Sequence, residues 1–134
     1  MEKYESCLKI EKYEVNEVHF IKNPNFKPTE EKVMLDLNIK KKTRFETKKM
    51  EVSLDTMIFE NCEKNNYPFE MKISITGYFY AEGENPKVLE KNAIAIMYPF
   101  IRSLVSTYTA NSNTATLILP IINVNKMIED QEEN

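Results

Sequence analysis

The chain has 134 residues, 42% of them hydrophobic and 29% charged, with a net charge of −3 and a pI near 5.3. That length supports one core rather than two, so residues 1–134 are expected to form a single domain. The acidic balance excludes a general nucleic-acid binder, which needs a basic face to release counterions from phosphates. Residues 1–14 mix charges with scattered apolar side chains and lack the basic start and apolar core of a signal peptide. No apolar run reaches membrane-spanning length, so a cytoplasmic protein without membrane insertion is expected.

Val18 and Phe20 mark the inward face of a first strand over residues 15–21, with His19 pointing the other way. Asn23-Pro24-Asn25 reads as a turn. Val33, Leu35, Leu37 and Ile39 then alternate with polar residues, which predicts a second strand over 33–39. The lysines at 40–42 and 48–49 flank residues 43–47 and read as the solvated tip of a hairpin; a role in binding phosphate or client charge is the alternative. A third strand is predicted from Met50, Val52, Leu54, Thr56 and Ile58, and a fourth from Phe69, Met71, Ile73, Ile75, Gly77 and Phe79. One apolar and one polar face per strand is the pattern of an antiparallel sheet with a wet side. The polar faces turn apolar at one end, with Met57 and Phe59 on the third strand and Tyr78 and Tyr80 on the fourth. Either loops or a subunit cover these residues, or they line a surface for exposed apolar segments.

Asn85-Pro86 offers an N-cap followed by proline at the first helical position. Helical spacing follows at Phe100, Ile101, Leu104, Val105 and Tyr108. Pro99 inside this segment predicts a kink or a break, with the helix proper starting nearer Asn92. Residues 110–116 form a polar turn, 117–122 an extended run and 123–130 a second helix, while the acidic end at 129–134 is expected to fray.

Catalytic chemistry is not visible. His19 is the only histidine, and it has no cysteine or carboxylate at metal-ligand spacing. Two glycines, Gly77 and Gly83, cannot build a glycine-rich phosphate loop. Cys7 and Cys62 are far apart and fit idle thiols in a reducing compartment. The chain reads as no enzyme, with no metal and no cofactor. The seven methionines lie mostly on patterned elements and fit core filling.

Several motifs stand in a fixed order: Val18-His19-Phe20 with Asn23-Pro24, residues 33–39, Gly77-Tyr78-Phe79, Tyr98-Pro99-Phe100-Ile101-Arg102, Leu104-Val105-Ser106, Leu117-Ile118-Leu119 and Ile122-Asn123-Val124. This ordered set resembles the bacterial export chaperone family SecB. The first three are similar to that family's first, second and crossing strands. The next two stand where it has Phe-Pro-Tyr-Ala-Arg and a Leu-Ile/Val-Ser run, and the last two match its Leu-x-Leu segment and Val-Asn-Phe element.

The resemblance implies an α+β fold, a four-stranded antiparallel sheet with C-terminal helices packed on one face. It implies a homotetramer, a dimer of dimers, with Ile94, Met97, Ile101, Leu104, Val105 and Tyr108 of the first helix at subunit contacts. The implied activity is ATP-independent holding of non-native polypeptides, with export as one use of it. The candidate client-binding residues are Met57, Phe59, Tyr78, Tyr80, Leu117, Leu119, Ile121 and Met127. Departures also stand out. Thr76-Gly77 replaces the family's adjacent glycines, and Pro120 comes one place early. Glu17 fits the acidic face that docks the translocase motor SecA, but Ile21 and Lys72 stand where that face has acids. Two rival readings are a chaperone dedicated to one partner, such as an antitoxin or phage protein, and a small-ligand domain with a closed pocket.

Overall fold

A computed structural model describes residues 8–82 and 85–133. Residues 1–7, 83–84 and 134, among them Cys7 and the first half of the segment read as lacking a signal peptide, lie outside the described residues. The elements run β1 (Leu8–Lys22), β2 (Leu37–Glu46), β3 (Lys49–Ile58), β4 (Phe69–Ala81), α1 (Pro86–Ala110) and α2 (Val124–Glu132). The strands form one antiparallel sheet in the order β1-β4-β3-β2, with the helices against one face. This is the expected fold class.

The alternating residues of β3 and β4 behave as their pattern demands. Val52, Leu54, Ile58, Met71, Ile73, Ile75 and Phe79 are buried beneath α1, together with its Ile94, Met97, Ile101 and Val105. Val18 and Phe20 pack against this core from β1, and His19 is exposed.

β1 is longer than 15–21 and breaks period two. Glu11 and Asn16 have no partner on β4, so each is a bulge, and the helix-side residues fall at Ile10, Tyr13, Val15, Val18 and Phe20. The Asn16 amide donates to the Thr76 hydroxyl at 2.8 Å, anchoring the second bulge.

β2 starts at Leu37, not at Val33. The Phe59 N–H donates to the Asp36 carbonyl, and β3 then turns away because Phe59 adopts a left-handed φ of 56°. Val33 and Leu35 therefore have no strand to pair with and remain exposed. β2 instead runs on through the lysines, and the hairpin tip shrinks to Thr47-Lys48. That extension places Lys41 on the helix side, where it ion-pairs with Glu90 of α1.

α1 is one helix through Pro99, with no break. The Asn85 side chain accepts from the Lys87 N–H, and Pro86 occupies the first turn. Pro99 is exposed, so the carbonyl it cannot serve, that of exposed Ala95, faces water instead of the core. α2 begins at the Asn123 cap and continues to Glu132, past the point where fraying was expected. Its Gln131 side chain accepts from the Ile39 N–H at 3.0 Å, which ties the end of α2 to the outer edge of β2.

Candidate functional site: a groove beside the helix-connecting segment

The segment between the helices, residues 114–123, is extended but belongs to no sheet. Side chains of α1 hold it in place. The Tyr98 hydroxyl donates to the Pro120 carbonyl at 2.8 Å, Arg102 Nε to the Leu119 carbonyl at 2.9 Å, and the Ser106 hydroxyl to the Leu117 carbonyl at 3.4 Å. Thr109 accepts from the Leu117 N–H at 2.9 Å while donating to the Val105 carbonyl. Positions 98, 102, 106 and 109 fall on one stripe of a helix, so a row of side chains replaces the neighbouring strand. Burial pushes the Tyr98 phenol pKa up, although the Arg102 charge opposes it, so the hydroxyl remains a donor across the neutral range.

This tether sorts the apolar side chains. Leu119 points into the core and is fully buried, and Leu117 and Ile122 are half-buried against it. Ile118 and Ile121 point away, 68% and 87% exposed. Beside them lies a cavity of about 220 Å³ lined by Ala95, Tyr98, Pro99, Arg102 and residues 121–125. Its floor is apolar, and the carbonyl that Pro99 leaves free adds an acceptor. Nothing in the groove resembles a nucleophile–base pair, and the described residues contain no cluster of metal-ligating side chains. Its chemistry is that of contact: apolar surface with a few fixed polar groups.

The structure does not gather the sequence candidates into one surface. Ile121 lines this groove, while Leu117 and Met127 are partly buried against the core. Tyr78, Tyr80 and Met57 project from the opposite face of the sheet, because Gly77 and Phe79 of the same strand face α1. There the Lys12 ammonium sits 4.9 Å over the Tyr78 ring and that of Lys49 5.5 Å over Tyr80. Phe59, expected to point outward, is turned into the core by its left-handed backbone and packs on Tyr67 and Phe69 at ring distances of 4.7 and 5.2 Å. Leu119 is likewise a core residue.

The expected subunit-contact residues are also redistributed. Ile94, Met97, Ile101 and Val105 are buried against the chain's own sheet, because they form the stripe of α1 that covers β3 and β4. The outward stripe is Ile96, Phe100, Leu104 and Tyr108, spaced four residues apart. Ile96 and Tyr108 are exposed, while Phe100 and Leu104 are half-buried. Sequence reasoning missed Ile96, Ile118 and the tethering role of Tyr98 and Arg102. The four-residue spacing of donors on α1 was the available signal for the tether.

On the outer sheet face, Glu17 is exposed and stands 3.9 Å from the Lys72 ammonium. Among the described residues, no helix is long and apolar enough to cross a membrane. Cys62 is a buried free thiol whose pKa is raised first by burial and then by Glu70 and Glu63.

Comparisons with known proteins agree with this architecture. An uncharacterized protein of Methanocaldococcus jannaschii, MJ0357, is 33% identical, with the match covering 95% of this chain and 86% of the relative. The Mycobacterium tuberculosis SecB-like chaperone Rv1957, solved in complex with a ChAD peptide from the HigA1 antitoxin Rv1956, superposes with a TM-score of 0.64. That match is 15% identical and covers 86% of this chain and 87% of the other, so it shows a shared fold. The family described as preprotein translocase subunit SecB matches residues 5–134, and the chain belongs to that family.

Proposed function

We propose that this protein is a holdase: it keeps non-native polypeptides soluble without ATP by accepting extended apolar segments along the groove between α1 and the connecting segment. The observation that carries this reading is Ile121, exposed at the groove, with Ile118 exposed on the same segment, whose Leu119 and Pro120 carbonyls are bonded to α1. Large branched side chains kept in water cost stability, and a client that covers them recovers it. One apolar side chain gains roughly 1.5–3 kcal/mol on full burial. Micromolar binding needs about 8 kcal/mol, and ordering a flexible client consumes part of the gain. Several contacts must therefore engage together, and repeated grooves on an oligomer would raise the effective concentration.

The outward apolar stripe of α1 supports self-association, and a homotetramer is the assembly we propose from the family resemblance. Docking of the SecA motor finds little support on the outer face, where the cation of Lys72 stands 3.9 Å from Glu17. A dedicated chaperone for one partner, such as an antitoxin, is the second reading; the peptide complex of the M. tuberculosis fold neighbour favours it.

The test is light scattering of a chemically unfolded client diluted into buffer with stoichiometric protein and no nucleotide. A general holdase suppresses aggregation, and the Ile118→Ser/Ile121→Ser variant suppresses it less. Unchanged aggregation with the parent protein would overturn the holdase reading in favour of the dedicated one.

A further inference from the structure

The groove lies on the helix side of the sheet, and the outer face carries a different chemistry. At its hairpin end stands Tyr80, 45% exposed on the inner strand β4. Lys9 of β1 and Lys49 of β3 are its direct cross-strand partners, one on each side. Those two strands lie about 10 Å apart, so the ring stands between two lysine stems. The Lys49 ammonium is 5.5 Å from the Tyr80 ring, and in the next row the Lys12 ammonium is 4.9 Å from the Tyr78 ring. Contact with a ring face orients an ammonium, which lowers the freedom it loses when a ligand binds.

Internal pairing decides which charges remain on this face. Glu14 holds Lys12 at 3.2 Å, and Glu46 and Glu51 hold Arg44 at 3.5 and 3.4 Å. Lys9 and Lys49 have no carboxylate partner among the described residues, nor have Lys40 and Lys42 further along β2. Of the carboxylates around the two rings, Glu11 is the one left without a cation at ion-pair distance among the described residues. Tyr78, Lys49 and Arg44 also line a cavity of about 210 Å³. Small-molecule sites begin at roughly 300 Å³, so this one suits a side chain of a larger partner.

We propose that this face docks an acidic segment of a partner protein, with an apolar residue on Tyr80 and flanking carboxylates on Lys9 and Lys49. The cations left after internal pairing call for an anionic partner. Single-stranded nucleic acid is the other anionic candidate, and two observations disfavour it. Bases stack on open rings, whereas ammoniums already lie over Tyr78 and Tyr80. A phosphate at every step would also meet Glu11, Glu14, Glu46 and Glu51, while a peptide sets its carboxylates only opposite the lysines. The site is separate from the Glu17–Lys72 pair, since Tyr80 lies about 25 Å along β4 from Lys72. Docking here leaves the groove on the other face open, and the inference does not rest on the holdase reading.

Fluorescence anisotropy with the full chain tests it. The probes are a labelled peptide of alternating glutamate and leucine, the same peptide with glutamine for glutamate, and an oligothymidylate. The glutamate peptide should bind, weaken as salt is raised, and bind about tenfold more tightly than the glutamine peptide. Lys9→Glu/Lys49→Glu should weaken it by about tenfold or more, Lys9→Gln/Lys49→Gln by less, and Tyr80→Ser by about fivefold. No binding of the glutamate peptide, equal binding of the glutamine peptide, or charge variants that bind as the parent does would each overturn the proposal. So would tighter binding of the oligothymidylate that is lost in the same lysine variants, which would assign the face to nucleic acid. Loss of peptide binding in Ile118→Ser/Ile121→Ser, with the lysine variants unaffected, would place the peptide in the groove and also overturn it. Circular dichroism verifies the fold of each variant. Holding is scored in the separate scattering assay, where Lys9→Glu/Lys49→Glu should act as the parent does, so failure of one reading is not mistaken for failure of the other.

Discussion

The sulfur of Met97 lies 2.9 Å from where a β-carbon on Gly77 would stand, and the Phe79 ring lies 2.8 Å from the same point. α1 therefore crosses the sheet at its only described glycine, with helix and strand as close as they can approach. The resemblance to SecB led to adjacent glycines here; this chain manages with one, and Thr76 on the other face bonds Asn16 and Ser53. Gly77→Ala should lower stability by about 1–3 kcal/mol, the usual cost of overpacking. In chemical denaturation, Met97→Ala should cost less in the Gly77→Ala background than in the parent, because the two changes share one space.

Leu119 and Ile121 lie two residues apart and should respond oppositely. Leu119→Ala removes a fully buried side chain and should cost about 2–5 kcal/mol. Ile121→Ala trims an exposed one, so the denaturation midpoint should barely move while client holding weakens modestly. If Ile121→Ala abolished holding in a folded protein, the additive surface argued above would be wrong.

Tyr98→Phe deletes the hydroxyl that reaches the Pro120 carbonyl without changing the ring. It should cost about 1 kcal/mol, the net worth of a typical hydrogen bond. The clearer readout is hydrogen exchange, which should accelerate over residues 117–123 and stay unchanged in β3 and β4.

Glu90 gives a dependence on pH. Burial raises its pKa, but the hydrogen bond and charge of Lys41, together with Thr43 and the Lys87 charge, outweigh burial, and the carboxyl ends below its ordinary value near 4.5. A carboxyl with a depressed folded pKa contributes stability that is complete above its unfolded pKa and is lost as pH falls through the folded one. Stability of the parent should therefore decline on acidification below about pH 4.5 more steeply than that of Glu90→Gln. Parallel acid titrations of the two proteins, followed by denaturation midpoints, measure the difference.

Pro99→Ala restores an N–H for the Ala95 carbonyl within α1 and should raise helix stability, since a mid-helix proline costs about 3 kcal/mol where it does not fit. It also removes part of the groove wall and its free acceptor. We expect a higher melting temperature with weaker holding; equal or better holding would show that the proline serves the helix alone.

Much of the architecture was legible in the residues. The alternation of β3 and β4, the Asn85-Pro86 start and the second helix after Asn123 all rest on local chemistry: side-chain period and capping. These depend on neighbours a few positions away, and the chain carries them wherever it folds. Family membership was likewise readable, because the motif order survives substitution.

Only the tertiary structure decided what the same residues face. Val33 and Leu35 alternate as well as any strand, yet Phe59 turns β3 away and leaves them without a partner. Lys41 looked like part of a solvated run and became a core-side ion pair, because β2 continued past it against β3. Two bulges shifted the inward residues of β1 out of period two. Four of the six α1 residues expected at subunit contacts cover the chain's own sheet, leaving Leu104 and Tyr108 outside with Ile96 and Phe100. In each case the outcome turned on which distant backbone was available to pair or pack, and a sequence pattern specifies two faces without saying what will meet either one.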